Sequence, residues 1–126
     1  AEGARNAAEA QDLLRKAGAA TPPLAGIPVA VKDLADIKGQ VTTAGSKALA
    51  DREPAAADAP GVARMRAAGL VIVGRANMSE FAYSGVGINP HYGTPAAPWD
   101  RANRRIPGGS ARIPAARAAF PRPTAG

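Results

Sequence analysis

A chain of 126 residues suits one small domain or a piece of a larger one. It contains no cysteine, which excludes a disulfide framework and a thiolate zinc site. No apolar run approaches the roughly 20 residues that a membrane span needs. The formal net charge is +6, yet residues 1–100 hold ten Lys/Arg and ten Asp/Glu, so the excess belongs to the six arginines of residues 101–126. A neutral body with a basic tail is not the footprint of a nucleic-acid-binding surface spread over a fold. Nor do the first residues show the basic-then-apolar order of a secretory signal, so a cytoplasmic location is expected. A start other than Met is what a fragment is expected to show.

Alanine is abundant, Gly and Pro are frequent, and the aromatics are few (Phe81, Tyr83, Tyr92, Trp99, Phe120). This balance favours helices joined by many turns over an all-β fold. In chain order, Glu2 to Ala17 is rich in good helix formers and Gly18 follows as a stop, which predicts a helix. Thr21-Pro22-Pro23 reads as a linker. Ile27 to Val31 is short, apolar and β-branched, which predicts a buried strand. Residues 38–46 read as turn and loop. Asp58 is placed to cap a helix that begins near Pro60, runs to Ala68 and ends at Gly69. Leu70 to Val73 predicts a second strand closed by Gly74. Strand, helix and strand in that order imply parallel strands with a right-handed crossover. The loop from Lys32 to Asp58 is long for such a unit, and long loops are often functional. Asn77 to Tyr83 predicts a short helix, and residues 85–98 and 104–110 predict loops. Ala111 to Gly126 is almost wholly Ala, Arg and Pro; too poor in large apolar residues to build a core, it predicts disorder.

Lys32 ends the first strand. The carboxyl edge of an open α/β sheet is where ligand sites gather, and a poorly hydrated lysine there is a candidate base. The plainer alternative is an edge lysine paired with Asp33 or Asp36. His91 is the sole histidine; in a Pro/Gly loop without clustered carboxylates it reads as a loop residue making one hydrogen bond rather than a metal ligand. Met78 and Phe81 read either as core or as the wall of an acyl pocket. Gly85-Val86-Gly87 lacks the strand-to-helix context of a dinucleotide fingerprint.

Four segments in order carry a resemblance: Gly26-Ile27-Pro28-Val29-Ala30-Val31-Lys32-Asp33, Thr42-Thr43-Ala44-Gly45-Ser46, Ala68 to Phe81 with Gly74-Arg75-Ala76-Asn77-Met78-Ser79-Glu80-Phe81 at its end, and Gly108-Gly109-Ser110. Together they resemble the amidase signature family over roughly residues 20–110, and Gly87 to Pro95 also fits bacterial amidases of that group. The resemblance implies an α/β fold, the N-terminal part of a mixed, largely parallel sheet flanked by helices and incomplete here. It implies an amide hydrolase with a Ser–Ser–Lys triad, without metal or cofactor. In that scheme Lys32 matches the general base, Ser110 matches the bridging serine with its cis peptide, and Met78 is a substrate-binding candidate. A serine hydroxyl becomes a useful nucleophile only when a base takes its proton, and Ser–Lys pairs are one known solution. Backbone N–H groups beside the nucleophile would hold the oxyanion.

After Ser110 the chain departs from that pattern. The family continues with Ser and Gly, whereas this sequence runs Ala111-Arg112-Ile113-Pro114, and the nucleophilic serine is absent. The expectation is therefore a partial amidase-signature domain over 1–110, with 111–126 out of frame or disordered after a frameshift or truncation. An isolated chain of this kind is expected to be marginal in stability and inactive alone. Its partner would be a small-molecule amide in the full-length parent, with no membrane role. Two alternatives remain: a fragment of an amidotransferase subunit that passes ammonia to a tRNA-linked substrate, and a non-catalytic module that binds through the basic tail. Gly87 to Pro95 leans toward a free-standing amidase. The composition fixes neither the oligomeric state nor the amide.

Overall fold

A computed structural model describes residues 2–97, 102, 103, 105 and 106. The elements, in order, are helix α1 (Glu2–Lys16), strand β1 (Pro28–Lys32), a 3-10 turn (Lys47–Leu49), helix α2 (Pro60–Ala67), strand β2 (Val71–Ala76) and a second 3-10 turn (Glu80–Ala82). β1 and β2 pair in parallel as a two-stranded sheet, with α2 between them in sequence. The parallel α/β order is thus the one the hydrophobic pattern predicts. The expectations for Ser110 and for residues 111–126 lie outside the described residues.

Both helices stop by the same device. Gly18 sits at φ +69° and Gly69 at φ +88°, a region that glycine enters without steric cost. At the first end, Gly18 N–H donates to Arg15 and Ala19 N–H to Leu14; at the second, Gly69 N–H donates to Arg66 and Leu70 N–H to Met65. These are paired bonds of the Schellman type, which satisfy carbonyls that a helix end leaves orphaned. Gly69 has a second reason to be glycine: a Cβ there would lie 2.8 Å from Ala25 Cα. The two backbones approach because Gly26 N–H donates to the Gly69 carbonyl at 3.0 Å, which delivers the chain into β1.

Two sequence expectations need correction. Asp58 does not cap α2; Ala59 is the N-cap residue and offers no side-chain bond. The Asp58 carboxylate instead accepts the Lys38 N–H at 2.7 Å and Arg66 Nε at 2.8 Å. These contacts, the Lys38 backbone bond first, hold Asp58 below its ordinary pKa. The second strand also continues through Gly74 rather than closing there. The pairing skips from Val29↔Ile72 to Ala30↔Gly74, so Val73 is an extra residue in β2. A glycine beside a bulge lets the strand resume and reach Ala76 opposite Lys32.

The core is small. Val31 of β1, Ile37 of the following turn and Val62 of α2 are buried together, with Ala35, Ala59 and Ile72 packed against them. It lies on one side of the sheet and pins the turn after β1 against α2.

Candidate functional site at the carboxyl ends of the strands

Lys32 is the last residue of β1, partly buried and paired with Ala76 at the end of β2. Its carbonyl accepts the N–H groups of Leu34 at 2.7 Å and Ala35 at 3.2 Å, so the chain turns away sharply after it. Asp33 N–H donates to the Ala76 carbonyl at 3.1 Å, which carries the parallel pairing one step past the strand. The backbone that presents Lys32 is therefore fixed from both sides.

Asp33 organises the next layer. Its Oδ1 accepts Arg75 Nη1 at 2.8 Å and Thr43 N–H at 3.3 Å; its Oδ2 accepts the Thr43 hydroxyl and, at 3.4 Å, Gly45 N–H. This carboxylate ties the loop 42–46 to the strand end. The sequence offers Asp33 as a partner for Lys32, whereas the structure commits its oxygens to β2 and to this loop.

A second hub is Asn89, only 1% exposed. Its Nδ2 donates to the carbonyls of Gly45 and Met78, both at 2.8 Å, while Oδ1 accepts the N–H groups of His91 and Tyr92. Three motif segments that are distant in sequence meet on this one side chain. Gly45 must be glycine here, because its φ is +70° and a Cβ would stand 2.8 Å from Asn89 Nδ2. Asn77 adds a further tie, Nδ2 to the Gly93 carbonyl at 2.6 Å.

Glu80 joins the same assembly from the other side. Its Oε1 accepts the Ser46 hydroxyl at 2.6 Å and lies 3.1 Å from His91 Nε2. The Ser46 bond, with His91 beside it, lowers the Glu80 pKa despite partial desolvation. Ser46 Oγ in turn accepts Ala48 N–H and caps the 3-10 turn Lys47–Leu49.

The short helix expected over Asn77 to Tyr83 is reduced to the 3-10 turn Glu80–Ala82. Asn77 Oδ1 takes the Met78 N–H at 2.8 Å, a local bond that competes with helix. Phe81 and Ala82 then adopt φ of +51° and +61°, and Ala44 does the same at +51°. Phe81 N–H donates to the Ala44 carbonyl at 2.8 Å, so two of these left-handed residues are bonded to each other. Each costs of order 1–3 kcal/mol, and such strain concentrates at functional sites. Met78 is 1% exposed, with its Cγ packed under Gly45, whereas Phe81 is half exposed.

Of the sequence-predicted site residues, Lys32 and Met78 border this loop assembly; Ser110 lies outside the described residues. Arg75, Asn89 and Glu80 stand in the recognised segments, where the sequence assigns them no role. A lone arginine near the end of a buried strand is the one signal that points to Arg75. Among the described residues no group of three or more His, Cys, Asp or Glu side chains is arranged to hold a metal ion. No described helix is long and apolar enough to cross a membrane.

The family model for amidases matches residues 1–112. The chain belongs to the amidase family. It is 50% identical over 109 residues to AtzE, a subunit of the 1-carboxybiuret hydrolase of Pseudomonas sp. (strain ADP), a match that covers 86% of this chain and 23% of that one. It is equally identical, over 109 residues, to a glutamyl-tRNA(Gln) amidotransferase subunit of Salinispora tropica, covering 86% of this chain and 22% of that one. A solved structure described as a vestigial protein complex that reveals the origins of an s-triazine catabolic enzyme superposes with a TM-score of 0.80 at 50% identity. That superposition covers 86% of this chain and 23% of the other. The chain thus spans a little under a quarter of the length of the relatives it matches.

Proposed function

We propose that this chain supplies the general-base end of an amide-hydrolysing site, with Lys32 as the base. The observation that carries the reading is the placement of Lys32 at the carboxyl end of β1, on backbone held by a hydrogen-bonded assembly of the recognised segments. The complete protein would convert a carboxamide to a carboxylate with release of ammonia or an amine. Lys32 would accept a proton relayed from a serine hydroxyl through the Ser110 position. The serine oxygen would then attack the amide carbonyl carbon, and the tetrahedral adduct would collapse as the C–N bond breaks. The proton would pass to the departing nitrogen, and water would cleave the resulting acyl-serine ester. The attacking serine would come from outside these 126 residues. Met78 would shape the acyl side of the pocket from beneath Gly45, being buried rather than exposed. The reading keeps the Ser–Ser–Lys triad, the small amide substrate and the cytoplasmic setting expected from the sequence.

The identity to an amidotransferase supports a second version of the same chemistry, in which the released ammonia passes to another substrate instead of leaving. Grafting separates activity from fold. Residues 1–109 of this chain would replace the matching segment of AtzE, and ammonia release from simple amides would be measured. Hydrolysis by the graft, with none by the 126-residue chain alone, is the expected pattern. Equal hydrolysis by the unaided chain would overturn the assignment of the nucleophile to another segment.

A further inference from the structure

We propose that the loop assembly at the carboxyl ends of the strands is a docking surface, and that its occupant is the remaining part of an amidase domain supplied as a separate polypeptide. The inference rests on membership of the amidase family and not on Lys32 as the base. Leu34, Phe81, Val86, Ile88 and Tyr92 are each roughly half exposed, and Tyr83 is 97% exposed. One framework carries them. Leu34 N–H donates to the Lys32 carbonyl, Phe81 N–H to the Ala44 carbonyl and the Tyr92 hydroxyl to the Ser46 carbonyl. The Ser79 hydroxyl donates to the Ser84 carbonyl, and the Ser84 hydroxyl accepts the Val86 N–H, so the turn that presents Tyr83 is held as well. Residues 81–97 contain no Lys, Arg, Asp or Glu. An uncharged surface with aromatic side chains has the composition of a protein interface core, and apolar exposure of this kind marks an interaction site.

The sheet points to the same occupant. A parallel sheet is ordinarily covered on both faces, and two strands alone are marginal. Among the described residues β1 and β2 pair with each other alone, so each has a strand neighbour on one side only. Val31, Val71 and Ala76 are the buried residues of the two strands; the others are partly or fully exposed. A body that completes such a sheet has to bring further backbone to pair and further apolar surface. A phosphate backbone or a lipid headgroup brings neither. The superposition with a TM-score of 0.80 takes in 86% of this chain but 23% of the other. The same conformation therefore exists inside a much longer chain, and the length that this chain lacks is what the open sheet and the uncharged loops are shaped to meet.

The test co-expresses the 126-residue chain with AtzE from which the matching segment has been deleted. The AtzE part carries an affinity tag, and size exclusion with light scattering reads the composition of what is recovered. A complex with one copy of each is expected. The double variant Tyr83→Asp/Ile88→Asp puts two charges on the surface and should lower recovery at least about tenfold. Tyr83→Asp alone, at a side chain that packs against almost nothing, should lower it less and leave the circular dichroism of the isolated chain unchanged. No complex, or a complex indifferent to both variants, overturns the proposal. So does self-association of this chain that the double variant abolishes while no AtzE part is bound, since that result assigns the surface to a second copy. Ammonia release is not the readout. A complex that hydrolyses no amide counts against Lys32 as the base and leaves the docking standing, whereas the absence of a complex leaves that base to be tested in the graft.

Discussion

Helix α1 and the loop assembly at the strand ends are opposites. α1 is the most regular element, fifteen residues long, yet none of its residues is buried. The assembly has almost no regular structure, yet it contains Ser46, Met78, Ser79 and Asn89, each at most 2% exposed. The helix follows from local propensity and a glycine stop. The loops are ordered by saturating their buried polar groups, chiefly through Asp33 and Asn89. Regularity and order are therefore separate properties here, and the order resides where the site is.

Substitutions should divide the two regions sharply. The largest effect is expected at Asn89. Asn89→Ala would strand the Gly45 and Met78 carbonyls and the His91 and Tyr92 N–H groups, and buried unsatisfied groups cost about 1–3 kcal/mol each. Urea unfolding should show a loss of about 3 kcal/mol or more, enough to leave the chain unfolded in buffer. Ile37→Ala, which empties part of the small core, should cost about 2–5 kcal/mol. Gly18→Ala places a Cβ at φ +69° and should cost about 1–2 kcal/mol by the same measurement. Leu13→Ala, on the exposed face of α1, should change stability by no more than about 0.5 kcal/mol. A large loss at Leu13 with none at Asn89 would break the comparison.

A pH series sharpens it further. The folded state lowers the Glu80 pKa through the Ser46 hydroxyl and then His91. A depressed carboxylate contributes stability above its ordinary value of 4.5 and loses that contribution as pH falls through the folded value. Glu80→Gln should therefore be less stable than wild type at neutral pH, with the gap closing below pH 4.5. A gap that stays constant on acidification would mean that Glu80 acts through shape alone.

This contrast also explains what was legible in the sequence. Both helices, both strands and their parallel pairing follow from helix-forming composition, short apolar runs, Pro60 at a helix start and Gly18 and Gly69 at helix ends. The ordered segments identified the family, and they marked Lys32. Gly74 misled because a glycine after an apolar run reads as a stop, whereas a bulge at Val73 lets the strand continue. Asp58 misled because its carboxylate prefers the Lys38 N–H and Arg66, contacts that span turns. Asn77 to Tyr83 misled because Asn77 bonds its own neighbour and Phe81 turns left-handed. Arg75, Glu80 and the Nδ2 of Asn89 find partners 11 to 44 residues away, and no local pattern encodes those partners.

The most direct test of Lys32 as the base of an amide-hydrolysing site is kcat for ammonia release by the graft of residues 1–109 into AtzE, with Lys32 and with Lys32→Ala. Loss of a general base predicts a fall of at least about a hundredfold, with the graft still folded by circular dichroism. Undiminished turnover in the Lys32→Ala graft would contradict that role.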